Sequence, residues 1–348
     1  MIDESIKRTF MDCYEKSYLD EDVLQFLIKD SMGSPLYESI GNHKVSGDKL
    51  ISIIIPTHNR KKQLEQCVYS ILNQSYDNFE IIIIDDDSKD DTEKMFSNCK
   101  NKRIKYFKNK KNQGVGCNRQ KGYSLSNGDY IIFMDDDDYY LDFDYFSKCI
   151  KIFEENNNIN TICSNTIIHI EENNEYLPHI LNMQESVNSI EYLEKFQIHN
   201  NKPTSTFPLI MRKTSMEKVN FNEMKMVNDS SIYLRVLMAG GETYFNKKII
   251  GVYRVHSNNI TKTPDVDFVI HNLHEKKYIY EYVNQHQLLK KANNWYEKQI
   301  MITINYLLSG SKLNRYQVTI VSKWLKKNVS TKMCLKFLIK VIKKGVSR

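Results

Sequence analysis

Residues 129–138 read Asp-Tyr-Ile-Ile-Phe-Met-Asp-Asp-Asp-Asp, an apolar run that ends in four consecutive carboxylates. Side chains alternate faces along an extended segment, so the sequence predicts that Asp135 and Asp137 point the same way. Two carboxylates on one side of a strand end suit a hard divalent cation that keeps open positions for phosphate oxygens. The alternative is a solvated acidic turn that caps the next helix. Crowded carboxylates repel each other in a cleft, and a cation relieves that repulsion. An EF-hand is excluded, because its sixth-position Gly and twelfth-position Glu are missing. A second apolar run, residues 80–84, ends in Asp85, Asp86 and Asp87. In open α/β sheets ligands bind outside the carboxyl ends of the strands, so two acidic strand ends suggest one site.

Working outward, residues 50–56 form a near-continuous β-branched run, the pattern of a strand buried on both faces. Residues 61–74 follow as an amphipathic helix with Leu64, Val68, Ile71 and Leu72 inward. Strands at 79–85, 104–107 and 129–135 alternate with helices at 90–99 and 115–126. That alternation predicts an α/β fold with a doubly wound, mostly parallel sheet. Downstream, helices are expected at 143–154, 190–196 and 229–239. Strands are expected at 161–170 with a hairpin through 173–176, then at 209–212, 243–245 and 249–253. Ile6, Phe10, Tyr14, Tyr18, Val23, Phe26 and Leu27 follow a helical period, broken by Gly/Ser/Pro patches at 32–35 and 41–47. The chain thus divides into an N-terminal helical extension (1–48), an α/β domain (49–264) and a C-terminal helical basic region (265–348).

The 348 residues carry a formal charge of +6, with 41% hydrophobic and 26% charged residues. After Glu297 there are twelve basic residues and no acidic one, so the first 297 residues hold 37 basic against 43 acidic side chains. The basic character belongs to the tail, and a nucleic-acid partner is not expected. Seven scattered Cys without a CxxC pair point to reduced thiols and no zinc site. The first residues lack a secretion signal, and no apolar stretch approaches the ~20 residues of a membrane span. A cytoplasmic protein, soluble or peripheral on the inner face of the membrane, is the expectation.

Several residues near the two acidic strand ends are candidates. Asp85 could accept hydrogen bonds from a base imide N–H or a ribose hydroxyl, or join the other acids on a metal. Thr57 and Asn59, after Pro56, either line the cleft or cap the following helix. Residues 112–119 (NQGVGCNR) resemble a phosphate loop but lack the third Gly of a dinucleotide fingerprint and the Lys-Ser/Thr of a P-loop. Arg119 could pair with Asp85, touch a base or phosphate, or form a plain structural ion pair.

Four stretches, 56–60 (PTHNR), 80–88 (EIIIIDDDS), 112–122 (NQGVGCNRQKG) and 128–138 (GDYIIFMDDDD), resemble in order and spacing the family 2 glycosyltransferases of GT-A fold. The resemblance is close over about residues 49–141 and looser to about residue 262. It implies a metal-dependent enzyme, using Mn²⁺ or Mg²⁺, that moves a hexosyl or N-acetylhexosaminyl group from a nucleotide-sugar to an acceptor hydroxyl with inversion. UDP is the expected nucleotide by family frequency, and bacterial surface polysaccharide or cell-wall glycan synthesis the expected context. By that resemblance Asp85 contacts the base, Arg119 the nucleotide, and Asp137 the metal, with Asp135 and Asp136 supporting donor sugar and ribose. The implied donor-binding set comprises Pro56, Thr57, Asn59, Arg60, Asp85, Asp87, Asn112, Gly114, Arg119, Asp135, Asp136 and Arg254. The metal set is Asp137, Asp135 and His256, although His256 could instead touch phosphate or be structural.

The family usually places an acidic pair at the start of a helix with an Arg one to two turns on. The matching stretch is Val227-Asn228-Asp229-Ser230 with Arg235, which makes Asp229 the candidate base, with an ordinary N-cap as the alternative. Residues 202–207 (KPTSTF) fall where the family often contacts its acceptor, a glycan or lipid-linked one. In the tail, Lys332, Lys336, Lys340 and Lys344 form a stripe beside a wide apolar face, suited to an anionic membrane surface along 323–348. Packing on the protein or self-association is the alternative, and oligomerisation is left open. A non-catalytic nucleotide- or glycan-binding module of the same fold is the competing function. Nucleotidyl transfer would require a second metal carboxylate and a basic triphosphate loop.

Overall fold

The isoleucine run at 51–55 forms the middle of the sheet, with every residue from Ile51 to Thr57 buried. The computed structural model describes residues 3–31, 44–97, 99–226, 228–256, 266–310 and 313–344. The irregular patch at 32–35, Val227 and the 264/265 boundary lie outside the described residues. In chain order the elements begin with α1 (Glu4–Glu15), α2 (Glu21–Ser31), β1 (Ile51–Thr57), α3 (Lys61–Leu72), β2 (Phe79–Asp85) and α4 (Thr92–Ser97). Next come β3 (Ile104–Lys108), α5 (Val115–Leu125), β4 (Tyr130–Phe133), β5 (Tyr139–Tyr140), α6 (Tyr145–Glu155), β6 (Ile159–Ile170), β7 (Glu175–His179) and β8 (Ser186–Asn188). They are followed by α7 (Ser189–Lys195), β9 (Leu209–Arg212), α8 (Lys213–Glu217), a short 3-10 turn, α9 (Asp229–Leu237) and β10 (Glu242–Val255). Four helices close the chain: α10 (Val266–Gln285), α11 (Ala292–Gly310), α12 (Arg315–Asn328) and α13 (Thr331–Lys344).

The strands join in the order β3-β2-β1-β4-β9-β6-β10-β5, with β7 on β6 and β8 on β10. This is an α/β fold with a curled, mostly parallel sheet. β1, β2, β3 and β4 are mutually parallel, as are β6 and β10, while β9 runs antiparallel between β4 and β6. The chain winds outward from β1 to β3, then returns to β4 on the other side of β1. A cleft opens at such a reversal, outside the carboxyl ends of the strands.

Alternation along β1 feeds two cores. Ile51, Ile53 and Ile55 meet Leu64 and Ile71 of α3 and Phe146 and Phe153 of α6. Ile54 faces the other way, into a core with Tyr123 of α5, Leu234 of α9, Leu273 of α10 and Ile300 of α11. The C-terminal helices therefore share a core with the sheet. The helices α1 and α2 pack through Phe10 and Leu27 against Tyr139, Tyr176 and Val252.

Three expectations change in detail. Tyr14 is exposed and Cys13 takes the inward position, because Ser17 adopts a left-handed φ of 58° and ends the first helix before Tyr18. The two strands expected at 243–245 and 249–253 are one, β10, with register shifts between Asn246 and Ile249 and between Ile249 and Val252. Most consequential, β4 stops at Phe133, and residues 135–138 form a turn in which the Asp138 N–H donates to the Asp135 carbonyl at 3.2 Å. Strand alternation does not govern the four aspartates; the turn fans them apart.

Candidate active site

The carboxyl ends of β1, β2 and β4 open into a cavity of about 510 Å³, within the usual range for a small-molecule site. Pro56, Thr57, His58 and Arg60 line it from β1 and the start of α3, Asp86 from the loop after β2, and Asn112, Gly114 and Arg119 from the entry to α5. Asp135, Asp136 and Asp137 form its acidic floor, and Asn228, Asp229 and Ser230 enter from α9.

Each aspartate of the turn has its own partners. Asp135 receives Arg119 Nη2 at 2.5 Å. Asp136 accepts from Thr57 Oγ1 at 2.7 Å and from Arg60 Nη1 at 3.0 Å. Asp137 Oδ2 meets Arg60 Nη1 at 2.7 Å and His256 Nε2 at 2.8 Å. Asp138 turns away to Ser205 Oγ at 2.8 Å and to the Arg254 N–H at 3.2 Å. Arg254 braces the turn through the Asp137 carbonyl at 2.8 Å, and through Gln66.

The electrostatics follow from burial and pairing. Burial, reinforced by the Asp137 charge, pushes Asp136 up to about 7 despite Arg60 and Thr57. Burial likewise raises Asp135, opposed by Arg119 and assisted by the charge of Asp229. Burial acts on Asp137 too, but His256 and Arg60 outweigh it and hold its carboxyl below the usual range. Asp138 is pushed well up by burial and by Asp137 and Asp135.

On β2 the roles of neighbouring aspartates differ from the expectation. Asp85 is fully buried behind the wall, with its carboxylate accepting from the Ser88 N–H at 2.7 Å and from Tyr106 Oη. The next residue, Asp86, reaches the cleft. Its carboxylate accepts from the Gln113 and Gly114 N–H groups at 2.8 Å each and from Asn109 at 3.0 Å. Burial opposes ionisation there, but these hydrogen bonds win and lower its pKa. Gly114 sits at φ 85°, a conformation costly for a side-chain-bearing residue. Asp87, at φ 65°, pairs with Lys89 at 2.6 Å, and Asn59, at φ 54°, accepts from the Lys89 N–H at 2.6 Å. Asn59 thereby ties the β1 loop to the β2 loop, Asp87 stays within its own loop, and both stand outside the cavity lining.

Asp229 is not the helix cap. Asn228 has the extended backbone of an N-cap and accepts from the Ser231 N–H at 2.8 Å. That leaves the Asp229 carboxylate at the first helical position, on the cleft wall, 3.7 Å from Arg119 Nη2. Arg119 thus bridges the acidic turn and Asp229. Arg235 lies six residues on, about 240° around the helix, and turns from the cleft to hold Glu275 of α10 at 2.5 and 2.9 Å.

The far wall is built from residues that no motif marks. Phe268, Asn272 and Lys276 of α10 and Ile302, Thr303 and Tyr306 of α11 face the cavity, with Gln197, Lys202 and Tyr253 beside them. Polar Asn272 and Lys276 recur at i+4 on the buried face of α10, among Val269, Leu273, Ile279 and Val283, the one signal that could have marked them.

Residues 52–220 match the model of glycosyl transferase family 2. They form a family 2 glycosyltransferase domain. An uncharacterized glycosyltransferase of Rickettsia conorii is 42% identical to this chain over 136 residues, covering 38% of this chain and 22% of that protein. The chain spans about a fifth of the length of such Rickettsia relatives. A Campylobacter jejuni GalNAc(5)-diNAcBac-PP-undecaprenol beta-1,3-glucosyltransferase is 28% identical over 210 residues, 59% of this chain and 64% of that one. The fold resembles S. aureus TarS 1–349 in complex with UDP-GlcNAc, with a TM-score of 0.55 at 15% identity, covering 84% of this chain and 88% of that chain. The family 2 domain holds β1 to β4 and the acidic turn, while Asp229 and the α10 and α11 wall lie beyond the matched segment.

Proposed function

We propose that the protein is an inverting glycosyltransferase that moves a hexosyl or N-acetylhexosaminyl group from a UDP-sugar to a hydroxyl of a lipid-linked glycan acceptor, in the synthesis of a bacterial surface polysaccharide. One observation carries the reading: Asp229 is spared the capping role by Asn228, faces the cleft, and is tied through Arg119 to the acidic turn. The Campylobacter relative and an E. coli UDP-Glc:alpha-D-GlcNAc-diphosphoundecaprenol beta-1,3-glucosyltransferase (28% identical over 218 residues) are named for lipid-linked acceptors, which supports that acceptor class.

In the proposed reaction Asp229 takes the proton of the acceptor hydroxyl. The oxygen attacks the anomeric carbon as its bond to the nucleoside diphosphate breaks. The carboxylate must lie within hydrogen-bond reach of the hydroxyl, opposite the leaving group. Asp86, rather than Asp85, is the carboxylate placed to meet the nucleotide, and Arg119 keeps a cation between the leaving diphosphate and the base. Pro56, Thr57, Asn112 and Gly114 shape the nucleotide wall. Because α10 and α11 wall the cleft, the proposed catalytic unit runs past residue 264.

A divalent cation fits this donor set. Ligands on a small octahedral ion with ~2.1 Å bonds sit about 3 Å apart, and Asp137 Oδ2 and His256 Nε2 are separated by 2.8 Å. Among the described residues no group of three such side chains converges, so phosphate oxygens and water would complete the shell. Asp137 and His256 would hold the ion, with Asp135 adjacent but engaged by Arg119. When bound, the cation neutralises charge growing on the diphosphate.

A thermal-shift screen of nucleotide-sugars with and without Mn²⁺ tests the proposal. Binding to the native state raises the melting point by mass action. A UDP-sugar should give the largest metal-dependent rise; no rise with any nucleotide-sugar would reject the donor assignment.

A further inference from the structure

Lys276, on the helical wall of the cleft, has no use in the transfer chemistry described above. It is 3% exposed and lines the cavity. Its ammonium donates to the Gln299 carbonyl at 2.9 Å, and among the described residues no carboxylate pairs with it. An ammonium carries three donors, so two remain. A buried unpaired charge is costly, and burial alone pushes this lysine down to about 7. Lys202 presents a second ammonium on the same wall, donating, among the described residues, only to the Pro203 and Thr204 carbonyls at 3.0 and 3.2 Å. It lies within the field of Asp229. Gln197, beside them on the wall, keeps its buried Oε1 without a hydrogen-bond partner among the described residues. The arginines of the cleft are committed otherwise, Arg60 and Arg119 both to the acidic turn. The two lysines are cations left for a ligand.

We propose that Lys276 and Lys202 form an anion subsite for the acceptor, which takes a phosphate or carboxylate carried beside the attacked hydroxyl. The proposal rests on Asp229 as the base, because it places the acceptor hydroxyl at Asp229 with Lys202 next to it. Gln197 Oε1 then accepts from an acceptor hydroxyl. A neutral acceptor would leave the buried Lys276 and half-buried Lys202 ammonium groups without a counter-charge.

The test is calorimetric titration of the full chain, saturated with UDP and Mn²⁺ so that the donor phosphates are already placed. The probes are N-acetylglucosamine 1-phosphate, glucuronate and neutral N-acetylglucosamine. At least one anionic probe should bind ten times more tightly than the neutral sugar or better, and which one does so identifies the oxyanion. In Lys276→Met that preference should disappear, and in Lys202→Met it should shrink, with UDP binding reporting that each variant is folded. If Lys276→Met fails to fold, Lys276→Gln reads the same difference. Equal binding of all three probes, or a preference that survives in the Lys276 variant, overturns the subsite. Failure of the wild type to bind UDP would reject the donor assignment instead, and the anion preference is then read without UDP.

Discussion

Asp136 shows how the acidic turn stores its charge. Its carboxyl is held up to about 7 in the folded protein against an ordinary value of 3.8. Between those values the folded state keeps a proton that the unfolded chain releases. Stability therefore falls as pH rises from about 4 to about 7 and then levels off. Asp137 has the opposite sign, since its lowered pKa adds stability that is lost as pH falls through the folded value. Asp136→Asn removes the first effect alone. We expect its melting point relative to wild type to climb between about pH 4 and about pH 7 and then level off; a pH-independent difference would show that the carboxyl is not held protonated. Asp86 makes the complementary point. Two adjacent aspartates ended the same strand, and the backbone decided that Asp85 faces Ser88 and Tyr106 while Asp86 faces the cleft.

Among the described elements, α13 carries an apolar outer stripe that packing leaves uncovered. Met333, Cys334, Phe337 and Val341 are buried, yet Leu335, Ile339 and Ile342 are 56%, 54% and 74% exposed. They recur at i, i+4 and i+7, one stripe of a helix, flanked by exposed Lys332, Lys336, Lys340 and Lys343. Apolar anchors bordered by lysines suit an anionic lipid surface, and none of the described helices is long and apolar enough to cross a membrane. Changing Leu335, Ile339 and Ile342 to Ser should reduce sedimentation with anionic vesicles roughly tenfold without lowering the melting point; unchanged sedimentation would assign the stripe elsewhere. The strands and helices around the cleft were legible because β1, β2 and α3 are fixed by local apolar periodicity. The acidic turn was not, because an unbroken apolar-to-acidic run cannot show where the ladder stops. The β10 register shifts at Asn246 and Ile249 have no period to betray them either. Asp229 was legible only through the family pattern, and its freedom depended on Asn228 taking the cap.

Across the whole molecule, the cleft is assembled from segments that the sequence separates into different regions. Arg235 of α9 and Glu275 of α10 form a buried two-point pair that fixes the α10 wall against the segment bearing Asp229. Ser231 Oγ adds a bond to Asn272 at 2.8 Å. Glu275→Ala strands a buried guanidinium, and breaking such a pair costs about 3–5 kcal/mol. Urea denaturation should show that loss; a change under about 1 kcal/mol would mean the wall is held by apolar packing alone. The proposed activity depends on this assembly, because the acidic turn, Arg119 and Asp229 must meet in one cavity. Its most direct test is the rate of UDP release from the UDP-sugar that stabilises the protein most, comparing wild type with Asp229→Asn. Loss of a general base lowers turnover by about 10²–10⁴-fold, and we expect that fall with UDP binding unchanged. Turnover within a few-fold of wild type would remove Asp229 from the base position and with it the account given for the cleft.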